Sequence, residues 1–193
     1  MRPAALLTLA ALAVPALAGC GNQVEPVGSL SPTPSAKTRL LEYPRAGLTL
    51  RLPVDVSVGR VDPPGVFRAT VGEGFASAFA YRRKEQLPRD DADLEAARRR
   101  LVDATEERGD SYRSISSRTT TVGGSKAVEL LGDQTIARAR LRTRSLHVYE
   151  GQAEYVIELA VPVEEFDRLD RAIFPRIEAS LEVTGEVRRR ARG

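Results

Sequence analysis

The 193-residue chain has no tryptophan, one cysteine, one histidine and one methionine. A single cysteine excludes a disulfide framework and a cysteine-built zinc site within one chain. A single histidine excludes a multi-histidine metal centre, and nothing near His147 has the spacing of carboxylate ligands, so no metal and no cofactor are expected. Charge of one sign is scarce too: Lys+Arg 29 against Asp+Glu 26 leave +3. So balanced a surface argues against a nucleic-acid partner. Lysine is almost missing, three residues beside 26 arginines, which fits GC-rich codon usage better than a phosphate-binding role. No apolar run reaches the ~20 residues of a permanent transmembrane helix.

What is there begins at the amino end. Arg2 precedes an almost unbroken apolar run from Ala4 to Ala18, 15 residues long and disturbed by Pro15. That is the pattern of a signal peptide over residues 1–19. The run ends in Leu17-Ala18-Gly19-Cys20, which resembles the bacterial lipobox. The resemblance implies cleavage before Cys20, a diacylglycerol thioether on its sulfur and acylation of the new amino group. Lipidation also removes a thiol that would be a liability in an oxidising compartment. Two or more acyl chains anchor stably where one does not, at ~0.8 kcal/mol per buried methylene. The expected location is the extracytoplasmic face of the cell membrane, with the membrane as partner through lipidated Cys20.

Residues 20–38 are expected to be the lipidated cysteine and a disordered tether, since GNQVEPVGSLSPTPSAKT carries three prolines and no apolar period. At the other end, residues 186–193 are expected to be a frayed basic tail, with Arg188, Arg189, Arg190 and Arg192 following the last apolar residue, Val187. Residues 39–185 remain for one domain. Together with its flanks that is enough chain to bury roughly 70% of its unfolded surface.

Within the domain, Tyr43-Pro44 and Gly47 signal a turn, and Leu48, Leu50 and Leu52 alternate as a half-buried strand that Pro53 stops. Val54, Val56 and Val58 continue the alternation. Asp62-Pro63-Pro64-Gly65 signals a second turn, and Phe67 to Val71 and Phe75 to Tyr81 read as strands around Gly72-Glu73-Gly74. Pro88 and Asp90 or Asp91 then start a helix carrying Leu94, Ala97, Leu101 and Ala104, closed by Gly109. A meander follows: Tyr112 to Val122, the turn Gly123-Gly124, Lys126 to Leu131, Ile136 to Tyr149, and Ala153 to Val161 after the turn at Glu150-Gly151-Gln152. Pro162 opens a second helix with Phe166, Leu169, Ile173, Ile177 and Leu181, which Pro175 is expected to kink or divide.

Two hairpins, a helix, a long antiparallel meander and a closing helix make an α+β domain, an antiparallel β-sheet with helices packed on it. Over roughly residues 40–184 the chain resembles the PsbP-like superfamily, and within it the LpqN-type lipoproteins of mycolate-bearing bacteria. The resemblance rests on Tyr43 to Pro53, on Val122-Gly123-Gly124-Ser125-Lys126-Ala127, on the strand Ala153 to Leu159, and on Glu165-Phe166-Asp167 through Ile177 to Leu181. It implies an α/β/α sandwich and a non-catalytic role in binding or assembly.

Chemistry is sparse. A Ser-His-Asp triad would need His147, but no G-x-S-x-G elbow occurs, so His147 reads as a strand histidine beside Tyr149. Gly72-Glu73-Gly74 lacks the third glycine of a dinucleotide loop. Asp90-Asp91 and Glu164-Glu165 sit at helix starts and read as caps, not acid/base pairs. The unusual constellation is Arg138, Arg140, Arg142 and Arg144, alternating with small or apolar residues. One regular strand would put all four guanidinium groups on one face, with Leu146 and Val148 sharing that face unless a bulge intervenes. Such a stripe is either a solvated face that discourages aggregation or a docking surface for an anionic lipid, an acidic polymer or an envelope protein. Cross-strand acids such as Glu129, Glu154 and Glu158 could neutralise it.

The expected function is a membrane-anchored cell-envelope lipoprotein whose domain is a non-enzymatic binding or assembly module. A carrier of a small apolar or lipid ligand is the alternative, and would need a large enclosed pocket between sheet and helix. An envelope hydrolase is a third reading, and would need a cleft where serine or carboxylates converge with His147.

Overall fold

Leu48, Leu50 and Leu52 do alternate inward, at 0–1% exposure. Their strand, β2 (Leu48–Pro53), pairs antiparallel with β1 (Thr38–Tyr43), and the short β10 (Glu182–Val183) flanks its other side. Gly47 ends the β1–β2 turn at φ +63°, and a Cβ there would lie 2.8 Å from the Glu186 carbonyl oxygen, so glycine alone fits. The computed structural model describes residues 32–107 and 109–187. The expected signal segment, Cys20 and most of the basic tail therefore lie outside the described residues.

The main sheet contains β3 (Ser57–Arg60), β4 (Gly65–Val71), β5 (Gly74–Arg82), β6 (Tyr112–Val122), β7 (Ser125–Ile136), β8 (Ala139–Glu150) and β9 (Ala153–Pro162). All neighbours are antiparallel, in the order β3-β4-β5-β9-β8-β7-β6. Helix α1 (Asp91–Glu106) lies on one face, where Leu94 and Ala97 pack with Val128, Leu130 and Tyr149. The other face is covered by the small sheet and by α2 (Phe166–Ser180), whose Leu169, Ile173, Phe174 and Ile177 are 0–1% exposed. Phe166 and Tyr155 are buried with them, so the closing helix packs on its own preceding strand as expected. The α+β class holds, with helices on both faces of an antiparallel sheet and a three-stranded sheet beside α2 as an addition.

Several boundaries move, each for a local reason. The Val54–Val58 alternation is broken by a turn: Val54 is exposed, Val56 buried, and β3 starts only at Ser57. Strand β7 runs past Leu131 to Ile136, and the expected strand from Ile136 is interrupted at once by a two-residue turn, Ala137-Arg138, at φ +48° and +71°. Both residues are left-handed, the geometry of a tight primed hairpin that normally advertises itself with Asn-Gly. Asp90 caps α1, its carboxylate accepting the Asp93 N–H at 2.8 Å, but the helix ends at Glu106 before Gly109. Ala104 is exposed and Thr105 is buried in its place, its hydroxyl donating to the Val102 carbonyl at 2.6 Å. Pro162 ends β9 instead of opening α2, and α2 continues undivided through Pro175. Glu165 sits at the start of α2 without making a capping hydrogen bond.

The tether also ends earlier than its composition suggests. Val54 donates its N–H to the Lys37 carbonyl at 3.0 Å, and the Ser35 N–H donates to the Asp55 carboxylate at 2.9 Å. Residues 33–37 thus lie on the domain. At the other end Val187 packs against the core, so the folded part extends to it.

Candidate functional site: the arginine-rich end of the sheet

Strand β8 places Arg140, Arg142 and Arg144 on one face together with Leu146 and Val148. No register shift interrupts β7–β8 or β8–β9, so that face changes from charged to apolar along one regular strand. Arg138 does not belong to the stripe. It stands at the tip of the β7–β8 turn, because the hairpin reverses there. Three of the four expected arginines therefore share a face and the fourth caps its end.

The arginines meet three carboxylates. Asp133, directly opposite Arg142 across the strand pair, is 5% exposed, and accepts from Arg142 Nε at 2.8 Å, Arg140 Nη2 at 3.1 Å and Arg113 Nη2 at 3.3 Å. The Arg142 hydrogen bond, more than any other influence, holds the Asp133 carboxyl below its ordinary value. Glu129 accepts from Arg118 at 2.7 Å and from Arg144 at 3.1 Å. Burial pushes the Glu129 carboxyl up, and these two guanidinium groups outweigh it, leaving it low. Arg144 also donates to Asp170 of α2 at 2.9 Å, but there burial wins and the Asp170 carboxyl stays above its ordinary value.

Depth separates the group into two sets. Arg144 is 21% exposed and lies 4.8 Å over the Phe174 ring, and Arg142 is 26% exposed and 5.8 Å over Phe166. Those two tie α2 to the sheet. Arg113 and Arg140 are 71% and 65% exposed and share a single carboxylate. They, with Arg138 at the turn, are exposed enough to meet an anion.

Of the cross-strand acids expected to neutralise the stripe, Glu129 does so. Glu154 and Glu158 do not, because they pair opposite Tyr149 and Ser145 and so occupy the α1 face. Glu154 is instead the centre of a second cluster: His147 Nδ1 lies 2.7 Å from one oxygen, and Arg83 Nε donates to the other at 2.6 Å. Burial works to raise the Glu154 carboxyl, and the His147 and Arg83 contacts outweigh it. His147 thus meets a carboxylate that already serves an arginine. Among the described residues no group of three or more potential ligands could hold a metal ion.

The space between sheet and α2 is filled by Leu, Ile and Phe side chains. Among the described residues, two surface clefts are open: one of about 860 Å³ between the β1–β2 and β3–β4 turns, and one of about 350 Å³ beside Tyr149. Neither is the enclosed apolar pocket that a carrier would need. Asp133, Asp170, Arg113 and Arg118 escaped sequence reasoning. Asp133 sits in Gly132-Asp133-Gln134, which reads as a loop, and only the β6–β7–β8 register reveals that it faces three arginines.

No family model matches the chain, and no curated protein matches it. Among solved structures it is similar to cyanobacterial PsbP (CyanoP) from Synechocystis sp. PCC 6803, with a TM-score of 0.55 and 13% identity over 82% of this chain and 99% of that one. The fold is PsbP-like. LpqN of Mycobacterium tuberculosis, involved in cell envelope biogenesis, has a TM-score of 0.52 and 14% identity over 77% of this chain and 91% of that one. The chain is also similar to a protein of Bacteroides thetaiotaomicron, at a TM-score of 0.52 and 12% identity over 75% of this chain and 48% of that one. Among the described residues no helix is long and apolar enough to cross a membrane.

Proposed function

We propose that the chain is a cell-envelope lipoprotein, anchored through lipidated Cys20, whose PsbP-like domain is a non-enzymatic binding or assembly module. The observation that carries this reading is the contrast between a filled core and an exposed cluster of guanidinium groups. Such a domain presents charge at its surface and shelters nothing inside. The involvement of LpqN in cell envelope biogenesis supports the envelope assignment, and the lipobox-like Leu17-Ala18-Gly19-Cys20 supports the anchor. His147 adds no reason for catalysis, since its partner is Glu154 and not a serine.

The anchor is tested by growing cells with a palmitate analogue that carries a clickable group. The wild-type chain is expected to take up label and fractionate with membranes. Cys20→Ala is expected to take up none and to appear either outside the cell or as the uncleaved form. Equal labelling of the two would refute the lipoprotein reading.

A further inference from the structure

We propose that the end of the domain formed by the β7–β8 turn and the first turn of α2 faces the membrane, and that its arginines hold anionic lipid headgroups. This rests on the anchor at Cys20 and adds what an anchor alone leaves open, the orientation of the domain.

Where the tether leaves the fold is set by hydrogen bonds to α2. Arg176, in the second half of α2, donates to the Ser35 carbonyl at 2.6 Å. Arg168, in the first turn, reaches the Thr33 hydroxyl at 3.5 Å. Traced back from Lys37, the chain therefore runs along α2 toward its amino-terminal end. That is the arginine end: Leu141 pairs with Pro162, Arg142 pairs with Val161, and the Arg142 guanidinium lies over Phe166. The far end of the helix lies instead at the β6–β7 turn, where the Leu181 carbonyl packs against Gly123.

The lengths favour one orientation. If the stretch is the tether its composition suggests, the 13 residue steps from Cys20 to Thr33 give a root-mean-square reach of about 20 Å. The opposite end of the domain, the β8–β9 turn, is about 35 Å away along β8. An anchor on this tether keeps the arginine end close to the headgroups.

The charge at that end fits them. Arg113 and Arg140 share Asp133, while Arg138 and Arg171 are exposed and have no carboxylate partner among the described residues. Two exposed acids, Glu164 and Asp167, border the patch. Ala137 and Arg138 both hold left-handed backbone, which L side chains rarely adopt, and both are exposed at the β7–β8 turn. Each arginine near an anionic surface adds about fivefold to partitioning, an effect that falls away as salt shortens the ~8–10 Å screening length.

The test uses the lipidated full chain. Once Cys20 carries its thioether, an introduced cysteine is the only reactive thiol. A fluorophore is placed at Ala139→Cys, beside the arginine end, or at Gln152→Cys in the β8–β9 turn, both exposed positions. The protein is reconstituted in phosphatidylcholine vesicles with or without 30% phosphatidylglycerol, with a headgroup nitroxide as quencher. At low salt on anionic vesicles, quenching at Ala139→Cys is expected to exceed that at Gln152→Cys by threefold or more. The ratio should fall toward one in 1 M salt. It should also fall in the triple variant Arg113→Gln, Arg138→Gln, Arg140→Gln, which leaves Arg142 in place for Asp133. Equal quenching at the two positions, or a ratio unmoved by salt and lipid charge, overturns the orientation while the palmitate label still vouches for the anchor. Absence of that label removes both.

Discussion

Arg144→Ala is expected to destabilise the domain by ~3 kcal/mol at pH 7, toward the lower end of the cost of breaking a buried ion pair. The side chain is one-fifth exposed and serves two carboxylates that are less exposed still, Glu129 and Asp170. Removing it leaves Glu129 with Arg118, which is 57% exposed, and leaves Asp170 with no ion-pair partner among the described residues. The pH dependence identifies the mechanism. In the native chain the Asp133, Glu129 and Glu154 carboxyls are held low, so the stability they contribute is present above the ordinary carboxylate range near 4 and is lost as pH falls below it. Asp170 is already held high by burial, so its ionisation costs stability at neutral pH and acid relieves that cost. Without Arg144, Glu129 moves toward the behaviour of Asp170. The deficit of the variant should therefore be largest at neutral pH and shrink as pH falls from about 6 to 4. Urea unfolding of both proteins at pH 7 and pH 4.5 measures it, and parallel stability curves would show that packing, not charge, was lost.

That ion-pair network was only partly legible in the sequence. Alternation put Arg140, Arg142 and Arg144 on one face correctly, because the side-chain period of a strand is exactly two residues wherever the strand is regular. Arg138 failed because a hairpin can reverse on Ala-Arg when the flanking strands compel it, and nothing in those two letters says so. Glu154 and Glu158 failed by parity: in the register actually formed they oppose Tyr149 and Ser145, which lie on the α1 face. Asp170 is invisible until α2 is laid across the sheet. The strands with clean alternation and a glycine turn were legible, as was α1 from Asp90, Leu94 and Ala97. Of the small sheet only β2 was, from the alternation of Leu48, Leu50 and Leu52. Thr38–Tyr43 has adjacent leucines and no alternation, with Leu40 45% exposed, and β10 has two residues.

Two neighbouring substitutions in α2 should move stability in opposite directions. Phe174 is fully buried, its ring under the Arg144 guanidinium, whereas Pro175 beside it points to solvent. Phe174→Ala removes a large side chain from a core whose neighbours, Ile173 and Ile177, are themselves excluded from water and held by the sheet behind them. Such a site collapses poorly, and the expected cost is ~3–5 kcal/mol. Pro175→Ala creates no cavity and restores an N–H able to donate to the Arg171 carbonyl one turn back. Interior proline costs a helix ~3 kcal/mol, and part of that is offset because proline also restricts the unfolded chain, so a gain of about 2 kcal/mol is expected. In the double variant the two effects should couple, because the residues are adjacent and share the backbone of one turn. Thermal and urea unfolding of the three variants read the signs directly. A loss for Pro175→Ala would mean that the proline holds a bend on which the packing of α2 against the sheet depends.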